Sequence, residues 1–256
     1  MKIMLLAALP QEYAPLRKMV PEWRLLEKSP NKKIAIRLHD KEIILVETGM
    51  GTGAVTAAVK SSLSVLRPDL IVFAGFAGGL HPALSVGDVC VAGNAGSPAS
   101  GTSLFFSFPP ELSVFFSENT VKTVSAFTAL RPESKRALSA VAGGGQAVLD
   151  METEIVAQSC AEAGIPFICF RSVSDAINDE LGFDLSDISG ADGKVRIGKV
   201  LITLVRKPST AIAFYSSWRR SSRAAENLCR VLRAFFGIPA GRLISASKKI
   251  RLGPAS

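Results

Sequence analysis

The sequence is poor in the side chains that build metal and redox centres. Its 256 residues include only two histidines, His39 and His81, which lie far apart. The cysteines form no CxxC pair and lie singly in apolar segments, whereas a zinc site needs clustered ligands. We therefore predict no metal centre, and we expect buried free thiols in a reducing cytoplasm. The four cysteines are Cys90, Cys160, Cys169 and Cys229.

The sequence also lacks a long apolar run. No stretch of about 18 apolar residues is present, so no membrane-spanning helix is predicted. The opening MKIMLLAALPQE reaches Gln11 and Glu12 after a short apolar run, and we interpret it as a buried strand rather than a secretory segment. Hydrophobic residues make up 48% of the chain and the mean hydropathy is +0.29. These values are typical of a well-packed globular domain.

Acidic residues are almost absent from the last quarter of the chain. Residues 194–256 contain 14 of the 30 Lys and Arg residues but only one of the 22 acidic residues, Glu226. Residues 1–193 therefore hold 16 basic and 21 acidic residues, a net charge of −5. We divide the chain into an α/β core, 1–193, and a basic helical segment, 194–256, packed on the same domain. Such asymmetry indicates an anionic partner or simple solvation.

Within the basic segment, FYSSWRRSSRAAENLCRVLRAFFG has the pattern of a basic amphipathic helix. Two interpretations remain open. The helix packs its apolar stripe on the sheet and exposes its arginines, or it contacts a membrane surface, which would place the protein at the inner face of the membrane. Nucleic acid is the least favoured partner. The stripe contains Phe214, Trp218, Ala225, Leu228, Leu232 and Phe235, and the basic face contains Arg219, Arg220, Arg223, Arg230 and Arg233.

Short apolar runs alternate with segments of helical periodicity. Runs such as KIMLLAAL and LIVFAGFAGG are almost continuously apolar, as expected for strands covered on both faces. Helix-like segments such as METEIVAQSCAEAG lie between them. We therefore predict an α/β fold, with a central mixed twisted sheet flanked by helices in three layers. The stretch 93–120 is rich in Ser, Gly, Pro and Phe, and we predict a loop there.

Several predicted strands end in residues suited to binding a ligand. Glu12, GMGTGAV (49–55), FAGGL (76–80) and Asp175 follow such strands, and ligands of open α/β sheets bind beyond these ends. Glycines allow close approach of a ligand to the backbone. Their spacing is wrong for a dinucleotide loop and no Lys-Ser/Thr follows, so NAD and ATP are disfavoured and no organic cofactor is expected. The glycines are also compatible with purely structural turns, and the acids with helix caps and first-turn positions.

Taken in order, these motifs resemble those of the nucleoside phosphorylase/nucleosidase superfamily, and particularly of the 5'-methylthioadenosine/S-adenosylhomocysteine nucleosidases. Each motif alone is weakly specific, but the ordered set, spanning about residues 2–180, is fairly specific. The motifs are Glu12 after the first strand, the helix entry with Gly49, Gly51, Ala57 and Ala58, GFAGGL (75–80) followed by VGD (86–88), DMET (150–153) and RSVSD (171–175).

The resemblance implies cleavage of the N-glycosidic bond of a 5'-substituted adenosine, with release of adenine. Asp175 would be the general acid for the leaving base, oriented by Ser174, and Glu12 would orient the water. An ordinary aspartate is ionised at pH 7, so we expect the apolar strand before Asp175 to desolvate it. Glu152 would accept the ribose hydroxyls while Met151 packs on the sugar. The other expected substrate contacts are Gly51, Phe76, Ala77 and Gly78, and a homodimer or higher homo-oligomer is implied.

One departure from the family pattern keeps alternatives open. Phe76 stands where the small nucleosidases usually have a serine that helps to hold water or phosphate. The basic C-terminal segment also resembles that of phosphorylases associated with hopanoid lipid synthesis, which would use phosphate and an adenosyl-lipid. A nucleoside-binding protein without turnover is the second alternative.

Overall fold

The computed structural model describes residues 1–20, 22–97, 103–129, 135–141, 143–179 and 210–254, without the side chains of 136, 137, 141, 210–218 and 254. The strands are β1 (Lys2–Ala7), β2 (Trp23–Glu27), β3 (Lys33–Leu38), β4 (Lys41–Glu47), β5 (Leu70–Gly79), β6 (Val89–Gly96), β7 (Ser103–Ser107), β8 (Lys122–Thr128), β9 (Ala147–Asp150), β10 (Phe167–Asp175) and β11 (Arg251–Pro254). The helices are α1 (Pro10–Met19), α2 (Thr52–Leu63), α3 (Pro110–Glu118), α4 (Lys135–Val141), α5 (Thr153–Ala163), α6 (Thr210–Gly237) and α7 (Ala240–Ser247).

All of these strands join one mixed sheet. Its main path runs β11-β7-β6-β8-β9-β5-β1-β4-β3-β2, and β10 pairs with both β5 and β6. The pairings β5-β10-β6-β8-β9-β5 therefore close a ring of five strands within the sheet. Strands β4, β1, β5 and β10 run parallel, so their carboxyl ends meet at one edge. The mixed α/β architecture predicted from the sequence is confirmed.

Helices cover both faces of the sheet, as the uniformly apolar strands require. Along β1, Ile3 and Leu5 belong to one hydrophobic cluster, whereas Met4 and Leu6 belong to the other. This alternation follows from the two-residue period of a strand. The first cluster is completed by α1, α3, α6 and α7, and the second by α2 and α5. The result is the expected three-layer arrangement.

The predicted loop at 93–120 was wrong for most of its described residues. Strand β6 continues to Gly96, β7 follows at Ser103–Ser107, and α3 occupies Pro110–Glu118. Proline occupies the first position of α3, where it fits without losing a helical hydrogen bond. The prolines that suggested a loop therefore mark a helix start. Residues 98–102 lie outside the described part.

The described part of the basic C-terminal segment packs on the core. Helix α6 buries Leu228, Cys229, Leu232 and Phe235 completely, and β11 adds an antiparallel strand to β7. The exposed side chains described on α6 are four arginines, Arg219, Arg223, Arg230 and Arg233, together with Glu226 and Ala234. The packed-helix interpretation fits these residues. The side chains of Phe214 and Trp218 and the predicted boundary after residue 193 lie outside the described residues. None of the described helices has the length and hydropathy needed to cross a bilayer.

Replacement of Phe235 by alanine tests whether α6 is part of the core. The Phe235 ring is fully buried. Its centroid lies 5.6 Å from the ring centroid of Phe115 and 5.3 Å from that of Phe170. We expect Phe235→Ala to lower the free energy of unfolding by about 3–5 kcal/mol in chemical denaturation, because it leaves a large cavity. The control Val114→Ala, at a side chain that is 56% exposed, should change it by less than about 0.5 kcal/mol. A loss below about 1 kcal/mol at Phe235 would show that α6 is not part of the cooperative core.

Candidate active site

Acidic side chains from four elements converge where the parallel strands end. Glu12 follows β1, Asp150 and Glu152 lie at the end of β9 and the start of α5, and Asp175 ends β10. All four are buried, with relative exposures of 4–7%. Carboxylates are rarely buried without specific partners, so their contacts define what this site can do.

Glu12 uses both carboxylate oxygens. Its Oε2 accepts the amides of Ala8 at 2.7 Å and Leu9 at 2.9 Å, which caps its own helix. Its Oε1 reaches across to β5 and accepts the amide of Phe76 at 3.1 Å. Burial raises the pKa of Glu12, and the three amides and the charge of Arg171 only partly offset this rise. The capping interpretation therefore holds for Oε2, while Oε1 remains oriented toward the site.

Arg171 is the cation that accompanies these acids. It is 1% exposed, its Nε lies 2.7 Å from Asp150 Oδ2, and its guanidinium stands 4.0 Å from the centroid of the Phe73 ring. Thr153 Oγ1 accepts hydrogen bonds from its Nε at 3.2 Å and Nη2 at 2.9 Å. The third nitrogen, Nη1, faces Gly75 on the same side as Glu12 Oε1. The guanidinium is thus fixed on one side and directed toward Glu12 on the other.

Asp150 organises the start of α5. Its Oδ1 accepts the amides of Glu152 and Thr153, both at 3.1 Å, and the Thr128 hydroxyl at 3.2 Å. A carboxylate that receives helix-start amides and pairs with Arg171 is a structural anchor. The first-turn interpretation of Asp150 therefore fits its contacts.

Glu152 faces the glycine turn before α2. Its Oε1 accepts the amide of Gly51 at 2.8 Å. Burial, followed by the charge of Asp150, raises the pKa of Glu152 to about 7. Met151 next to it is 38% exposed, so it lies at the mouth of the site rather than in the core. Glu152 is therefore a buried hydrogen-bond acceptor beside a solvent-accessible apolar side chain.

Asp175 has a different set of partners from those expected. Ser174 Oγ donates to its Oδ1 at 2.6 Å, as the predicted orienting role requires. Its Oδ2, however, pairs with the ammonium of Lys135, the first residue of α4. The carboxyl is therefore not simply desolvated by the apolar strand, because a cation lies against it.

Strand β5 connects the two ends of the site. A Cβ on Gly75 would meet Arg171 Nη1 at 2.3 Å, and one on Gly78 would meet Asp175 Oδ2 at 3.0 Å. Between them, Phe76 contributes its amide to Glu12, and the Ala77 carbonyl lies 3.4 Å from Ser174 Oγ. Gly75 and Gly78 are three residues apart, about 10 Å along the strand. All nine predicted site residues thus lie at these two ends or along the strand that joins them.

Sequence reasoning gave no individual role to Arg171, Gly75 or Lys135. Arginine inside the apolar run FICFRSVSD was a usable signal, since a buried arginine must be paired. Lys135 lies outside every motif, and no local pattern distinguished it. Within the described part of the chain, no three His, Cys, Asp or Glu side chains are grouped like metal ligands.

Comparisons with known proteins agree on one group. A family model described as the phosphorylase superfamily matches residues 2–206. Curated 5'-methylthioadenosine/S-adenosylhomocysteine nucleosidases are similar. The one from Staphylococcus saprophyticus is 29% identical over 172 residues, covering 57% of this chain and 74% of the relative. The one from Tolumonas auensis is 26% identical over 203 residues, covering 70% and 88%.

Solved structures show the same fold. A Helicobacter pylori 5'-methylthioadenosine/S-adenosylhomocysteine nucleosidase has a TM-score of 0.68 at 18% identity, covering 92% of this chain and 97% of the other. A futalosine hydrolase from the same organism gives the same TM-score, identity and coverage. Proteins of different names thus share this fold, so the fold alone does not select a substrate.

Substitution of Gly75 tests the close approach of Arg171 and Glu12. The added Cβ of Gly75→Ala would lie 2.3 Å from Arg171 Nη1 and 2.8 Å from Glu12 Oε1. We expect a loss of about 2–4 kcal/mol in the free energy of unfolding, because a buried charge must move. Gly241→Ala is the control, since a Cβ there meets nothing within 4 Å. Equal stability of both variants in urea denaturation would contradict this geometry.

The raised pKa of Glu152 predicts a pH-dependent stability. Between about pH 4.5 and 7 the folded protein keeps a proton that an unfolded glutamate has released, so stability falls as pH rises through this window. Glu152→Gln keeps an oxygen for the Gly51 amide and removes the titration. The Tm of the variant relative to wild type should therefore increase from pH 5 to pH 8.

The exposed Glu118 provides the matched control for this measurement. Glu118→Gln should show a Tm difference that does not change over the same pH range. A Tm difference for Glu152→Gln that is constant with pH would mean that Glu152 titrates normally in the folded protein.

Proposed function

Since this chain belongs to the phosphorylase superfamily, we propose that it hydrolyses the N-glycosidic bond of a 5'-substituted adenosine and releases adenine. The family predicted from the ordered motifs is confirmed. One observation carries the proposal: buried acids, Glu12 near Gly75 and Asp175 near Gly78, flank the β5 segment at the end of the parallel strands. The names of the curated relatives support the same reaction.

The end around Glu152 is suited to the ribose. In its ionised form, Glu152 is a buried acceptor with one oxygen bonded to Gly51 and one free for sugar hydroxyls. Met151 offers an apolar surface at the mouth of the site. Loss of the base leaves a sugar with oxocarbenium character, and the negative charges of Glu12 and Glu152 would stabilise it.

Glu12 is the proposed base for the attacking water. Its Oε1 has a remaining lone pair next to Arg171 Nη1, and a water between these groups would be both oriented and polarised. The water attacks C1' of the ribose, its proton passes to Glu12, and the C1'–N9 electrons leave with the purine. Asp175, oriented by Ser174, would supply the proton that the purine takes up. The products are adenine and the 5'-substituted ribose.

The charge of the sugar end favours water over phosphate. Glu12, Asp150 and Glu152 are three buried acids beside a single guanidinium, which is already paired with Asp150. When Glu12 is ionised, as a base for the reaction must be, a phosphate anion would enter this group against a net negative charge. Phe76 is compatible with this reading, because the backbone amide at this position, rather than a side chain, holds Glu12.

Two finer expectations stay predictions. One is a homodimer or higher homo-oligomer. The other is contact with a membrane surface. For this contact α6 offers exposed arginines, whereas the described residues of its apolar stripe, Ala225, Leu228, Leu232 and Phe235, are buried. Both would add to the proposed reaction without changing it.

The proposal is tested by incubating the protein with 5'-methylthioadenosine in phosphate-free buffer and measuring adenine by chromatography. We expect adenine release at a rate that added phosphate does not change. Asp175→Asn and Glu12→Gln should each lower kcat/KM by about 10²- to 10⁴-fold, the usual contribution of a general acid or base. The control Glu118→Gln, at an exposed side chain on α3, should keep activity.

Three results would overturn the proposal. Strict dependence on phosphate would favour the phosphorylase alternative. Binding detected by calorimetry without adenine release would favour the nucleoside-binding alternative. Full activity of Asp175→Asn would remove the proposed acid.

A further inference from the structure

Lys135 makes an unusual set of contacts at the base end of the site. Its ammonium pairs with Asp175 Oδ2 and donates to the carbonyls of Ala176 at 2.8 Å and Asp179 at 3.1 Å. A fourth, longer contact joins the ammonium to the Asp175 carbonyl at 3.5 Å, so its three hydrogens are surrounded by acceptors. The side chain is 17% exposed, so the pair with Asp175 is largely shielded from water.

The surrounding chain leaves room for this lysine. A Cβ on Gly78 would lie 3.2 Å from Lys135 Cε and 3.0 Å from Asp175 Oδ2, so a side chain at that position would crowd the pair. The other charged neighbours are themselves occupied. Asp179 accepts the amide of Ala176 at 2.9 Å and pairs with Arg220 at 3.4 Å. Lys135 is therefore the cation assigned to Asp175 within the described residues.

We propose that Lys135 is a positioning residue that stabilises the carboxylate left on Asp175 when its proton passes to the departing purine. This inference rests on the proposed function. As the C1'–N9 bond breaks and its electrons move to the base, the Asp175 proton forms a bond to a purine nitrogen. The acid becomes a carboxylate in a buried setting. The pair seen in the structure is the arrangement in which that charge is neutralised.

Such a partner accelerates the reaction because its effect grows along the reaction coordinate. In the form that donates the proton, the Asp175 carboxyl is uncharged and gains little from the ammonium. After transfer it carries a full charge, and an adjacent cation in a shielded site stabilises it strongly. Interactions that strengthen only in the transition state raise kcat rather than lower KM. Solvent then returns to Asp175 the equivalent of the proton taken from the water by Glu12.

A purely structural role makes a different prediction. The carbonyl contacts of Lys135 fasten the turn 176–179 to α4, and a lysine that did only this would affect folding and substrate binding. Its removal would lower activity whether or not Asp175 could release a proton. The two roles are therefore separated by measuring Lys135 variants with and without an acid at 175.

The test is a double-mutant cycle on the full chain with 5'-methylthioadenosine. We expect Lys135→Met to lower kcat by about 10- to 100-fold, the size expected for a lost charge-assisted hydrogen bond, with KM changed by less than about threefold. In an Asp175→Asn background, single-turnover rates should show no further loss from Lys135→Met, because no carboxylate forms there. Lys135→Arg, which keeps the charge, should recover most of the activity.

Lys33→Met is the matched control. Lys33 is similarly shielded, at 14% exposure, and pairs with Glu27 at 2.7 Å on the β2–β3 side of the sheet. It should leave kcat unchanged, and thermal melting of each variant confirms that it is folded. An unchanged kcat in Lys135→Met, a loss that appears only in KM, or an equal loss in the Asp175→Asn background would overturn the inference.

Failure of the inference can be told apart from failure of the proposed function. If the wild-type protein releases no adenine, the proposed function fails. If wild type is active and Asp175→Asn is impaired while Lys135→Met is not, the role of Lys135 alone is wrong.

Discussion

The buried pair between Arg171 and Asp150 is the interaction on which the site depends. It ties β10 to the junction of β9 and α5, and both partners are almost inaccessible to water. Removing either partner would leave an uncompensated buried charge, which typically costs about 3–5 kcal/mol. The same pair orients Arg171 Nη1 toward Glu12. One contact therefore stabilises the fold and also positions the groups around Glu12.

The site is built at some cost to stability. Glu12 and Glu152 have raised pKa values because they are withdrawn from water, and their ionised forms are disfavoured where they stand. Two large hydrophobic clusters, one on each face of the sheet, offset this penalty. A loss of folding stability of this kind is typical of functional sites, where polar groups are positioned for binding or catalysis rather than for the lowest free energy of folding.

Much of this arrangement was accessible from the sequence. The almost continuously apolar β1 and β5 predicted a covered sheet, and the ordered motifs predicted which acids would meet. The short β7 and α3 were missed because their prolines and serines resemble loop signals, while their tertiary contacts decide their structure. Lys135 was missed for another reason: a lysine at a helix start has no local signature, and only the folding of α4 against β10 brings it to Asp175.

Helix α6 lies directly behind the proposed base, since the thiol of Cys229 donates to the backbone carbonyl of Glu12 at 3.3 Å. Glu12 is thus contacted by Cys229, which lies 217 residues later in the sequence and is synthesised that much later. During translation, the residues of β1 and α1 are made early. The contact from Cys229 to the Glu12 carbonyl can form only after α6 has been synthesised. A chain that has not yet formed α6 therefore lacks the contact that Cys229 makes behind Glu12.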